Sequence, residues 1–320
     1  AGGSLVIWAN HMLRAAVSAM QATAATIFAE ESLLPVEERI ASVSEIFRLQ
    51  GAHELAEAEQ LYLPSTNAAT RAVVLAAGAG SNLGELTADR PKTLIEINGK
   101  PIVQHIVDAY NSIGVKDVTV VRGYRKDTFD LANVRYADND DYEITGELVS
   151  LARGLEALPA ESSEGNLLIS YGDVMFNKFV PQTVLDAPSD LVVNVDIDWS
   201  ASGEPSSGSA DLVECTAPYS RRSFSSLVGL KRVSAKGDLD NVHGEWMGFL
   251  KVAPAAQSMV RRLITELVDT DPLAGVPELL NVLIERGQFV EVIYTSGHWL
   301  DVDNITDVLR ASSFGDGGRR

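Results

Sequence analysis

The chain has 320 residues, enough for two domains, and 46% of them are hydrophobic, so a sizeable core can form. Its 26 basic and 44 acidic residues give a formal net charge of −18, a surface that repels nucleic acid and argues against a genome-binding role. The single cysteine, Cys215, excludes an internal disulfide and fits a reducing, cytoplasmic setting, and no apolar run is long enough to span a membrane.

Residues 1–62 differ in texture from the rest. Ser4 to Ala9 reads as a strand, and the Ala-rich stretch 11–29 has helical spacing through Leu13, Val17, Met20, Ala24 and Ile27. A second helix is expected over 36–49, started by Pro35, and a charged third helix over 52–61. Turn residues from Pro64 to Asn67 mark a linker, which separates a block at 1–64 from one at 71–320. SLVIWANHMLRAAVSAMQ resembles the last strand and helix of phosphoenolpyruvate mutases, and VEERIASVSEIFRLQGAHEL their closing helices. The resemblance implies the end of a TIM barrel. The mutase family's catalytic aspartate loop has no counterpart here, so these residues are not expected to run the mutase reaction. The other reading is three ordinary amphipathic helices packed on the main domain. The first residue is Ala, and the expectation is a piece of a longer polypeptide that oligomerises through its mutase part.

Residues 73–101, VVLAAGAGSNLGELTADRPKTLIEINGKP, carry the most information. A β-branched run over 72–76 ends in small residues with Gly78 and Gly80, where backbone N–H groups can approach phosphates unhindered. Lys92 adds a mobile positive charge. Together they make a nucleoside-triphosphate grip. A dinucleotide fingerprint through Gly78, Gly80 and Gly84 needs a helix at the loop, but the next helix is expected only from 101. A Walker-type loop needs Gly-Lys-Ser/Thr, which is absent.

Further strands are expected at 93–97, 117–122, 133–136, 167–171, 190–196, 210–214, 226–232, 248–252 and 290–294. Helices are expected at 101–113, 147–157, 179–185, 254–268, 275–286 and 304–311. Such alternation argues a three-layer, Rossmann-like α/β domain with a mostly parallel sheet, whose ligands sit beyond the carboxyl ends of the strands. The segment 200–209, SASGEPSSGS, is a low-complexity turn with no evident chemistry.

LAAGAGSNLGELTADRPK resembles the signature of the sugar-nucleotidyltransferase-like superfamily. Gly172-Asp173, Gly244-Glu245-Trp246 with Gly248, and Trp299 to Asp303 follow in the family's order. The pattern is nearest the branch that activates choline phosphate and phosphonates with CTP. The resemblance implies nucleotide contacts from Leu75, Ala76, Ala77, Gly78, Gly80, Ser81, Asn82, Arg90, Lys92 and Ser150. It makes Lys92 and Asp173 catalytic and assigns Mg²⁺ to Asp173 with Asp301 or Asp303. One of the latter two is read as the cap of the helix near Ile305. Asn82 stands where the family carries Arg, and Arg90 is the candidate to supply the missing charge. Glu147, Glu245 and Trp246 are candidates for the acceptor, where a carboxylate and an aromatic suit an ammonium group.

The implied reaction is attack by a phosphonate or phosphate oxygen on the α-phosphorus of an NTP, with loss of pyrophosphate. CTP with 2-aminoethylphosphonate or 2-hydroxyethylphosphonate is the expected pair, within a bifunctional mutase–cytidylyltransferase. Choline phosphate or a sugar 1-phosphate is the alternative acceptor. A nucleotide sensor or scaffold that has lost activity is the alternative of another class.

Overall fold

The computed structural model describes residues 9–32, 34–37, 39–51, 54, 58, 67–159, 165–199, 210–220, 227–234, 239–312 and 314. Its contacts divide the chain into two units, Ala1–Leu61 and Tyr62–Arg320. The strand expected at 4–9 lies outside the described residues up to Ala9, which is already helical. The expected helix at 52–61 and the turn at 200–209 also lie outside them, apart from isolated helical positions at 54 and 58.

In the first unit, α1 runs Ala9–Glu30 and leaves Met12, Leu13, Val17, Met20 and Phe28 exposed. The helix expected over 36–49 is two helices, α2 (Leu34–Glu37) and α3 (Val43–Leu49). The break follows from Ser42, whose hydroxyl accepts the Glu45 N–H and starts a new helix.

The second unit is built on β1 (Arg71–Ala76), whose six residues are all buried. The chain then forms the hairpin β2 (Glu96–Ile97) and β3 (Lys100–Pro101), helix α4 (Ile102–Ser112), and strands β4 (Asp117–Arg122) and β5 (Arg135–Asp138). Helix α5 (Glu147–Glu156), strands β6 (Leu167–Tyr171) and β7 (Val174–Phe176), α6 (Phe179–Asp186) and β8 (Leu191–Asp196) follow. The last elements are β9 (Leu212–Cys215), β10 (Leu230–Ser234), β11 (Gly244–Val252), α7 (Pro254–Thr270), α8 (Val276–Glu285), β12 (Val290–Thr295), β13 (Trp299–Asp301) and α9 (Ile305–Ala311).

The central sheet runs β12-β8-β11-β6-β1-β4-β5, with β9 on the first residues of β11 and β10 on β9. The β1/β4, β1/β6, β4/β5 and β8/β12 pairs are parallel, while β11 is antiparallel to its neighbours. Alternation along β1 sends Val73 and Leu75 to one face and Ala72, Val74 and Ala76 to the other. Helices α5, α7 and α8 bury Leu151, Val260 and Leu280 against the first face, and α4 and α6 bury Ile106 and Val184 against the second. The result is the three-layer α/β fold expected from the alternation.

One expected strand is overturned. It is the one expected at 93–97. Instead, Lys92–Leu94 form a tight 3₁₀ turn after Pro91, closed by Ile95 N–H donating to the Lys92 carbonyl at 3.1 Å, and only Glu96–Ile97 is strand.

Candidate active site

The site grows from the carboxyl ends of β1 and β6, which lie side by side in the sheet. Past β1 the chain enters the glycine loop. A 3₁₀ stretch, Ser81–Thr87, is kinked at Gly84 and closed by the Thr87 hydroxyl, which donates to the carbonyls of Gly80 and Gly84 at 3.1 and 3.2 Å. Tyr124 fastens the loop from outside, with its N–H on the Ala77 carbonyl at 2.9 Å and its hydroxyl on the Ala88 carbonyl at 2.9 Å. A Cβ added at Gly78 would meet nothing within 4 Å, so space stands open at that point of the loop. Gly80 differs: it has φ +70°, and a Cβ there would fall 2.4 Å from the Lys92 Cβ. Only glycine lets the lysine stem pass beneath the loop.

Past β6, Gly172 donates its N–H to the Leu75 carbonyl at 2.8 Å, and a Cβ on it would lie 2.6 Å from that oxygen. This close approach fixes Asp173 next to the end of β1. The short antiparallel pair β7/β13 sets Val174 opposite Asp301, and the Val302 N–H donates to the Asp173 carbonyl at 3.2 Å. Asp173, Asp301 and Asp303 thereby converge, with one carboxylate oxygen from each within 4.8 Å of the others. Lys92 Nζ points into the group: 3.0 Å from Asp173 Oδ2, 3.7 Å from Asp301 Oδ1 and 2.5 Å from Asp303 Oδ1. Burial works against the ammonium, but the three carboxylates outweigh it and hold its pKa well above the lysine range. Burial, reinforced by the Asp173 charge, raises the Asp301 carboxyl far above the usual carboxylate range. Its Oδ1 is buried without a hydrogen-bond partner. Three hard oxygen donors with one of them unsatisfied suit a divalent cation. Neither Asp301 nor Asp303 is the cap of α9. That role belongs to Asn304, which accepts the Asp307 N–H at 3.1 Å.

The other sequence candidates divide. Leu75 and Ala76 are buried in β1, and Ala77 spends its carbonyl on Tyr124. Ser81 opens the 3₁₀ stretch, with Asn82 next to it exposed. Arg90 is exposed and paired with Asp89 at 3.0 Å. Ser150 is buried and accepts from Asn139 Nδ2 at 3.0 Å. Glu147 Oε2 accepts the Tyr171 hydroxyl at 2.8 Å and the Val276 N–H at 3.0 Å, so this oxygen ties the start of α8 to β6. Burial raises its pKa, and these two hydrogen bonds oppose the shift. Trp246 is 3% exposed and donates its indole N–H to the Phe249 carbonyl at 2.8 Å, with its ring edge-on to Tyr171. Glu245 is half-buried, and burial with Asp196 and Asp303 nearby lifts it to about 7.

Two site residues escaped the sequence reading. Tyr171 precedes Gly172-Asp173 directly, a signal the motif offered. Asp211 immediately precedes β9, after the low-complexity segment, and carries no motif. Burial, with Glu147, Glu245 and Glu278 around it, lifts Asp211 to about 7.

Residues 72–206 match the family model of the MobA-like NTP transferase domain. The chain is 24% identical over 258 residues to CTP:phosphoglutamine cytidylyltransferase of Campylobacter jejuni, covering 74% of this chain and 97% of that protein. It is 31% identical over 109 residues to 2-aminoethylphosphonate cytidylyltransferase of Lancefieldella rimae, covering 32% of this chain and 44% of that one. Over 62 residues the chain is 55% identical to phosphoenolpyruvate phosphomutase of Tetrahymena pyriformis, covering 19% of this chain and 21% of that one. Among solved structures, CTP:phosphocholine cytidylyltransferase of Streptococcus pneumoniae superposes with a TM-score of 0.54 at 16% identity over 76% of this chain and 98% of that one. The fold is therefore that of nucleotidyltransferases. Cytidylyltransferases stand among the chain's relatives.

Proposed function

We propose that residues 71–320 transfer CMP from CTP to a small phosphonate, 2-aminoethylphosphonate or 2-hydroxyethylphosphonate, releasing pyrophosphate. The observation that carries this reading is the convergence of Asp173, Asp301, Asp303 and Lys92 beneath the glycine loop. Mg²⁺ is the proposed cofactor, held by the three carboxylates, and when bound it neutralises phosphate charge and polarises the α-phosphoryl group. The unsatisfied Asp301 Oδ1 supports that assignment. The open space at Gly78 takes the triphosphate, and loop N–H groups align it for in-line attack. A phosphonate oxygen is already anionic, so no side chain has to remove a proton from it.

The phosphonate acceptor is supported by the similarity to the Lancefieldella 2-aminoethylphosphonate cytidylyltransferase and by the mutase-like stretch, whose length suits block 1–64. We read the parent as a bifunctional cytoplasmic mutase–cytidylyltransferase that oligomerises through its mutase part. Glu245 feels Asp303 and Asp211 feels Glu245, and an ammonium substituent on the acceptor would offset the repulsion among these half-buried carboxyls.

The test is a pyrophosphate-release screen of four NTPs against 2-aminoethylphosphonate, 2-hydroxyethylphosphonate, choline phosphate and glucose 1-phosphate. CTP with a phosphonate should give the highest kcat/KM. Preference for choline phosphate or the sugar phosphate would reassign the acceptor. Release with no pair, alongside measurable nucleotide binding, would make the domain a sensor or scaffold.

A further inference from the structure

We propose that Lys92 is the stand-in cation of the nucleotide-free enzyme, occupying the metal position until a divalent ion arrives and moves its ammonium onto the nucleotide's phosphates. The inference rests on the nucleotidyltransferase reading above. Asp173, Asp301 and Asp303 lie so close that a folded, metal-free protein has to neutralise them. Lys92 Nζ does so from between them, at 2.5 to 3.7 Å from all three. That space is the one a cation held by the same oxygens must take, so ammonium and metal exclude each other. The lysine also serves the carboxylates incompletely, since Asp301 Oδ1 lies at the far end of this range and has no hydrogen bond. A doubly charged ion with several oxygen ligands answers all three better.

The stem sets where the ammonium goes. Lys92 begins a 3₁₀ turn right after Pro91, so its backbone is fixed. Its Cβ, Cγ and Cδ all lie against Gly80, at 2.4 to 3.1 Å from where a Cβ on that glycine would stand. With the first carbons clamped under the loop, the outer torsions alone swing Nζ between the carboxylates and the loop. One side chain thus couples the metal position to the nucleotide position, and metal and nucleotide should bind cooperatively.

The test compares Mn²⁺ binding to the full chain by electron paramagnetic resonance, for wild type, Lys92→Met and Lys92→Met/Asp173→Asn, with and without CTP. Met keeps the stem and removes the charge. Without CTP, Lys92→Met should bind Mn²⁺ about tenfold or more tighter than wild type. Asp173→Asn should abolish that gain, and CTP should tighten Mn²⁺ binding in wild type more than in Lys92→Met. Equal or weaker Mn²⁺ binding by Lys92→Met overturns the stand-in role but leaves the nucleotidyltransferase reading intact. No Mn²⁺ binding by wild type, even with CTP, overturns both. Should Lys92→Met fail to fold in EDTA, its melting temperature with and without Mn²⁺ decides. Recovery by Mn²⁺ beyond that seen in wild type supports the role, and no recovery overturns it.

Discussion

Asp211 gives the sharpest energetic consequence. In the folded protein its carboxyl titrates near 7, raised by burial and by Glu147, Glu245 and Glu278, against about 3.9 for a free aspartate. The folded state therefore holds a proton that the unfolded chain has already released over roughly pH 4 to 7. Stability must fall as pH rises through that window and level off above it. Of the full gap, about two units lie between pH 5 and pH 8, worth about 2–3 kcal/mol at 1.36 kcal/mol per unit. Asp211→Asn preserves shape and removes the charge. Urea unfolding followed by circular dichroism at pH 5 and pH 8 should show the variant gaining that amount on wild type between the two values. A difference between the two proteins that stays constant with pH, or shrinks toward pH 8, would refute the argument. On the proposed acceptor reading, the stabilised variant should also bind an ammonium-bearing acceptor less well.

The glycine loop gives two contrasting expectations. Gly80→Ala combines a left-handed backbone with a clash against Lys92, so it should lose about 1–3 kcal/mol of stability by thermal unfolding. Wild-type stability in that variant would contradict the packing described. Gly78→Ala meets open space and should melt like wild type while raising KM for the nucleotide about tenfold or more. An unchanged KM would detach the loop from the nucleotide.

The sequence revealed the layers because β1, β4, β6 and β8 are long apolar runs separated by helices of clear periodicity. It missed β7 and β13, three residues each, because elements so short show no period, yet their pairing is what carries Asp301 to Asp173. It misread 93–97 because β-branching at Thr93 and Ile95 said strand, while Pro91 and the inward Lys92 imposed a turn. The carboxylate group was legible because Gly172-Asp173 and Asp301-Val302-Asp303 are motifs of fixed order. Glu147, Ser150 and Trp246 were legible as polar or aromatic groups near the site, but their partners were not. Tyr171, Asn139 and the Phe249 carbonyl claim them through contacts made in the folded chain alone. Asp211 lies far in sequence from every motif, and burial among other acids is what singles it out.

The central claim, cytidylyl transfer at the Asp173–Asp301–Asp303 group, is tested most directly by ³¹P nuclear magnetic resonance of CTP, Mg²⁺ and 2-aminoethylphosphonate incubated with the full chain. Wild type should convert the phosphonate resonance into that of a phosphonate–phosphate anhydride, with pyrophosphate appearing in equal amount. Asp173→Asn, with an unchanged circular dichroism spectrum, should leave both substrates intact. Pyrophosphate without the anhydride, or Asp173→Asn turning over within about threefold of wild type, would contradict the account.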